Sequence, residues 1–164
     1  MVAVMRAPSE ELRRRVWEER IAAHTREIYF ARLAARYRSL ERGLALVTAV
    51  FGSATVAAAS ESLGVPVVWP ALLTGITGIF LGILKFGESS MSMAMHSVAW
   101  ARLHHRLDAL WIEVESGDAD HEGVRDSLAL IRGHQLYIDD DTAAEPERRR
   151  LLLKALEQAE ALAS

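Results

Sequence analysis

Two apolar runs, residues 43–60 and 67–84, constrain this chain more than anything else in it. Each is long enough to cross most of a hydrocarbon layer of about 30 Å. The first draws heavily on Ala, Gly, Ser and Thr, so alone it would insert less favourably than a Leu-rich helix and calls for a partner. The second carries no ionisable side chain and supplies that partner across the connector Glu61-Ser62-Leu63-Gly64-Val65-Pro66, which is too short to be a domain. Pro66 and Pro70 fall where a second helix would begin and a missing N–H costs little. Trp69 suits the outer interface of a bilayer, and Lys85 and Phe86 close the run on the inner side. The expectation is an all-α membrane protein with a two-span transmembrane hairpin over residues 43–86, its spans about 43–60 and 67–86.

Charge is divided along the chain. The net charge of −3 covers ten Arg against six Glu in residues 1–42, and eight Arg or Lys against fifteen Asp or Glu in residues 87–164. Arg36, Arg38 and Arg42 precede the first run, Lys85 closes the second and the connector has no basic residue. The positive-inside rule then places both termini in the cytoplasm, in a multi-pass membrane arrangement. The apolar run starts too late for a cleaved secretory signal. With no cysteine, disulfides, thiolate metal sites and a cysteine nucleophile are excluded.

The flanks read as helices. From Pro8 to Val65 there is no proline, and Ser9 followed by Glu10 and Glu11 predicts a capped start. Trp17, Ile21, His24, Ile28, Ala31 and Ala35 form one stripe, with Phe30, Leu33, Tyr37, Leu40 and Leu44 beside it. The amphipathic region 1–42 is therefore expected to run into the first span. After an interruption at Gly87-Glu88-Ser89-Ser90, the spacing Met93, Ser97, Trp100, Leu103 or His104, Leu107, Trp111, Val114 predicts a second cytoplasmic helix antiparallel to it. Shorter C-terminal helices are expected near residues 123–137 and 146–163, completing a helical region over 87–164.

Small and hydroxyl residues make the candidate site. Ala45, Ala49, Ser53 and Ala57 recur every four positions, and Gly75, Gly78 and Gly82 include a Gly-x-x-x-Gly step; both permit close backbone approach. Thr48, Gly52, Ser53, Thr55, Thr74, Gly75, Thr77, Gly78 and Gly82 are the candidates for helix packing or a pore lining. The hydroxyls can also bond back to their own helix carbonyls. Arg36, Arg38, Arg42, Trp69, Lys85 and Phe86 are candidate interface anchors, the arginines toward anionic headgroups. The lack of mid-span charge argues against a proton relay or coupled pump.

Other groupings point to packing. His104 and Asp108 share a helix face near His96 and His105, but no second ligand pair of diagnostic pattern accompanies them, so the expectation is no metal and no cofactor. Titration of these histidines near neutral pH is a secondary idea. Met91, Met93 and Met95 alternate and cannot share one helix face. The basic arm interleaves arginine with Glu10, Glu11, Glu18, Glu19, Glu27 and Glu41, a solvated face rather than a nucleic-acid surface. No phosphate loop, nucleophile elbow or His-Glu-x-x-His motif is present, and no enzyme is expected.

The long arm ending Tyr37-Arg-Ser-Leu-Glu-Arg42, the short-looped apolar hairpin and Trp100-Ala-Arg-Leu-His-His-Arg-Leu107 together resemble the SLATT domains. These are bacterial two-transmembrane effector modules associated with SMODS nucleotidyltransferases and SLOG sensors, and the likeness covers nearly the whole chain. It implies an antiphage or conflict effector in a bacterial inner membrane that permeabilises membranes when a separate nucleotide-sensing partner is triggered.

The leading expectation is thus a homo-oligomeric membrane effector forming an ion-conducting or permeabilising pore in the lipid bilayer. The alternative is a non-conducting membrane anchor or scaffold that recruits a cytoplasmic partner. A third reading is a bundle that buries residues 43–86 in its own core.

Overall fold

The computed structural model describes the backbone of residues 7–59, 68–84, 86–117, 119–142 and 148–163, with the side chains of all these except 54–59, 68–70, 81–84, 86, 141–142 and 163. Nearly all the described residues lie in five helices: α1 (Glu10–Ala59), α2 (Val68–Leu84), α3 (Phe86–Ser116), α4 (His121–Thr142) and α5 (Arg149–Ala163). They divide into two compact units, one from residues 1–32 and 94–164 and one from residues 33–93. These breaks differ from the ends of the apolar runs.

Helix α1 starts where the cap predicts. Ser9 Oγ accepts the Leu12 N–H at 3.3 Å and its carbonyl accepts the Arg13 N–H at 3.0 Å, with Glu10 and Glu11 in the first turn. The pairs Arg15–Glu11 and Arg14–Glu18, at 2.5 and 2.7 Å, link successive turns, and the helix continues for 50 residues without a break at Arg42. Helix α3 absorbs the expected interruption. Gly87 and Ser90 lie in its first turns, and the Ser90 hydroxyl donates to the Gly87 carbonyl at 3.0 Å. It ends at Gly117, whose φ of 79° is a left-handed conformation open to glycine. Asp120 caps α4 by accepting the Gly123 N–H at 3.0 Å.

In the first unit, α1 and α3 are antiparallel: Trp17 meets Trp111, Arg20 pairs with Asp108, His24 stacks on His104 and Phe30 meets His96. Contacts with α4 rise together in number along both helices, from Ser9 with His121 through Glu19 with Arg132 to Arg26 with Asp139, so α4 runs parallel to α1. Helix α5 is tied to α1 by Arg32 with Gln158 and by the Arg148 N–H donating to the Tyr29 hydroxyl at 3.1 Å. The buried residues are Leu12, Val16, Ala23, Thr25, Tyr29 and Phe30 of α1, Trp100, Leu103, Leu107, Leu110 and Val114 of α3, Val124, Leu128 and Ile131 of α4, and Ala155 and Ala159 of α5.

In the second unit the end of α1 and α2 form an antiparallel pair, with Thr48 opposite Thr77 and Gly52 opposite Thr74. The membrane part of the expected fold is overturned here. Among the described residues no helix is long and apolar enough to cross a membrane. Helix α2 has 17 residues, about 25 Å at 1.5 Å per residue against the ~30 Å of a hydrocarbon core. The apolar part of α1, from residue 43 to its end at Ala59, is no longer, and Glu41 and Arg42 precede it. The all-helical class stands; the two-span transmembrane hairpin and multi-pass inner-membrane location do not, and the channel loses its structural basis.

Candidate functional site

Within the second unit the hydroxyl candidates mostly bond to their own helices. Thr48 Oγ1 lies 2.9 Å from the Leu44 carbonyl, Ser53 Oγ donates to the Ala49 carbonyl at 2.8 Å, and Thr77 Oγ1 donates to the Leu73 carbonyl at 2.8 Å. Thr48 and Thr77 also approach each other at 3.0 Å, a polar link between α1 and α2. A methyl group added at Gly52 would sit 3.9 Å from the Thr74 methyl, ordinary contact. At Gly75 and Gly78 it would meet nothing within 4 Å, so these two do not face another helix of the described chain. Arg38 Nε donates to the Ala34 carbonyl at 3.4 Å, and Arg36 and Arg42 are exposed. The side chains of Thr55, Trp69, Gly82 and Phe86, and all of Lys85, lie outside the described residues.

What this pair leaves uncovered is apolar. Leu46, Val47 and Val50 on α1, with Leu72, Leu73, Ile76, Ile79 and Phe80 on α2, are exposed, Leu46 and Ile79 by 66% and 61%. No charged residue occurs between Gly43 and Ser53 or between Ala71 and Phe80.

The first unit holds a different constellation, built from ionisable groups. On α1, His24 and Glu27 are three residues apart; on α3, His104 and Asp108 are four apart, and both spacings bring side chains to one helix face. The antiparallel register sets the two faces against each other. The His24 and His104 rings stack with centroids 4.2 Å apart and planes 9° from parallel. Glu27 Oε2 lies 3.0 Å from His104 Nδ1, and Asp108 Oδ2 lies 3.4 Å from His104 Nε2, so carboxylates approach opposite edges of one imidazole. Arg20 Nε donates to the other Asp108 oxygen and fixes that carboxylate. The His104 side chain is 12% exposed, and those of Glu27 and Asp108 under a third. Burial first, and then the adjacent His104, hold the His24 imidazole below its ordinary value; Arg20 acts in the same direction, and Glu27 and Asp108 oppose it.

Sequence reasoning found half of this constellation. It singled out His104 with Asp108 and found no second pair, whereas His24 and Glu27 stood in view at helical spacing on α1. Their signal was only the i, i+3 step, and connecting them to α3 requires a register between residues 77 positions apart. Of the remaining histidines named with them, His96 packs beside the Phe30 ring, and His105 stacks behind His104 at 5.9 Å, its side chain turned to solvent. Met93 is fully buried, and Met91 and Met95 are exposed, as their alternation requires. No family model, curated protein or solved structure matches this chain.

Proposed function

We propose that the chain is a non-catalytic helical assembly module, whose exposed apolar surface on α1 and α2 is covered by the same surface of a second copy. The carrying observation is the uncharged patch formed by Leu46, Val47, Val50, Leu72, Leu73, Ile76, Ile79 and Phe80 around the Thr48–Thr77 link. Large contiguous apolar surface left in water favours association, since each Å² covered contributes about 25 cal/mol. With no charge in it, the patch gives an unlike partner nothing electrostatic to recognise, whereas an apolar, small-residue face complements itself across a two-fold axis. The effector context implied by the SLATT resemblance fits the same reading: a trigger would act on the number of copies assembled.

Sedimentation of the chain without detergent is the test. A concentration-dependent oligomer is expected, and Leu46→Glu or Ile79→Glu should weaken association by at least about 100-fold with helix content retained, because a carboxylate would be buried without a partner. A chain that is monomeric at every concentration, or that remains monomeric while adsorbing to phospholipid vesicles, would overturn the proposal.

A further inference from the structure

The structure assigns to His24, Glu27 and His104 a binding site for one divalent transition-metal ion of the zinc class. The three residues each offer a ligand atom, and these atoms lie within 4.8 Å of one another. Around an ion held at about 2.0 to 2.2 Å, neighbouring ligand atoms stand roughly 3.4 Å apart, so the site closes by movements of about an ångström. Glu27 can move through its own side-chain torsions, and the His24 ring, stacked face to face on His104 in this structure, must turn about its side-chain torsions to aim a nitrogen at an ion lying in the His104 plane.

The surroundings distinguish this site from a surface cluster of acids. Two imidazoles and one carboxylate form the ligand set of mononuclear zinc and related metal centres, which leave a further position for water. Asp108 stands where a metal-bound histidine needs a partner. With the ion on the Nδ1 edge of His104, beside Glu27, the opposite Nε2–H donates to Asp108, which fixes the tautomer and the ring orientation. Arg20 in turn holds Asp108, so the chain of support runs from the guanidinium to the ligand. Asp108 and Arg20 are positioning residues here, and the ion would link α1 to α3 at the level of their stacked rings.

The experiment is titration of the full 164-residue chain, freed of metal, with Zn²⁺ and then with Co²⁺ as the spectroscopic probe. One ion per chain is expected, with a rise in the thermal unfolding midpoint and the visible d–d bands of a Co²⁺ ion of low coordination number carrying nitrogen ligands. His24→Gln and Glu27→Gln should each weaken binding by about 100-fold, and Asp108→Asn by about tenfold. His121→Gln and His134→Gln, which alter histidines outside the site, should leave it unchanged. Binding that survives His24→Gln and Glu27→Gln at wild-type strength would overturn the assignment. Should those variants lose helix content, the wild type decides: the absence of the Co²⁺ bands, or of any shift in midpoint, would overturn it equally.

Discussion

Trp100 shows how much a single side chain can carry in this molecule. It is fully buried, Arg26 lies over its ring at 4.6 Å from the centroid, and its indole Nε1 has no hydrogen-bond partner among the described residues. An unsatisfied buried N–H costs about 1 to 3 kcal/mol, whereas a buried tryptophan covers roughly 150 to 250 Å² of apolar surface. The packing is the larger quantity, which explains why the residue sits there despite the orphaned donor. Trp100→Ala should therefore lower stability by about 3 to 5 kcal/mol in chemical denaturation. Trp100→Phe should cost clearly less, because it removes the unpaired N–H along with part of the ring. Equal losses for the two variants would show that the donor contributes no penalty. Thr25 makes the contrasting case: it is buried too, but its hydroxyl donates to the Ile21 carbonyl at 2.7 Å and leaves nothing unsatisfied.

The caps set where the elements begin. Asp120 accepts the Gly123 N–H through its side chain and the Val124 N–H, at 3.1 Å, through its carbonyl, so Asp120→Ala should destabilise α4 by about 1 kcal/mol. Hydrogen exchange should report the loss first in the opening turn of α4; uniform exchange along the helix would contradict a local cap. The Ser9 cap is legible in the sequence, because a cap is written within four residues, whereas the Asp120 cap adds two residues before the helix start expected near residue 123. The stripe of α3 is legible for a similar reason: Met93, Trp100, Leu103, Leu107 and Val114 recur at three, four and seven and are buried, with Ser97 and Trp111 of the same stripe partly exposed. On α1 the two expected stripes differ: Phe30 and Leu33 of the second are buried, and the first is not. Trp17, Ile21, His24 and Ile28 are partly exposed and Ala31 and Ala35 exposed, while Leu12, Val16, Ala23, Phe30 and Leu33 take the core. Seven-residue steps between Val16, Ala23 and Phe30 mark a coiled-coil-like seam, and the stripe from Trp17 to Ala35 flanks it. The His24–Glu27 half of the polar constellation was illegible for another reason, since periodicity fixes a face but not the opposite helix or its register.

At the scale of the whole molecule both units leave large apolar side chains exposed, Leu136 and Tyr137 of the first among them, and they differ in what holds their helices together. The unit of residues 1–32 and 94–164 buries an apolar core and crosses it with ion pairs such as Arg132 with Glu19 at 2.8 Å. In the unit of residues 33–93 the α1–α2 pair is linked by the Thr48–Thr77 hydroxyls and leaves large apolar side chains exposed. Gly75 and Gly78 separate the two ways in which that surface could be accommodated. Neither has a neighbour that an added methyl would meet, so in an isolated chain the double change to alanine should add about 1 kcal/mol per site to helix stability and do nothing else. Where a second copy packs on this face, the open space at the glycines is where its backbone would approach. Gly75→Leu with Gly78→Leu should then shift the sedimentation equilibrium toward monomer, although leucine is the better helix former and helicity by circular dichroism should not fall. Association unchanged by the leucine pair would place the self-contact elsewhere on the patch, leaving Leu46 and Ile79 as its test; association strengthened by it would mean that the copies meet by nonspecific apolar contact and that the open glycines have no part in their fit.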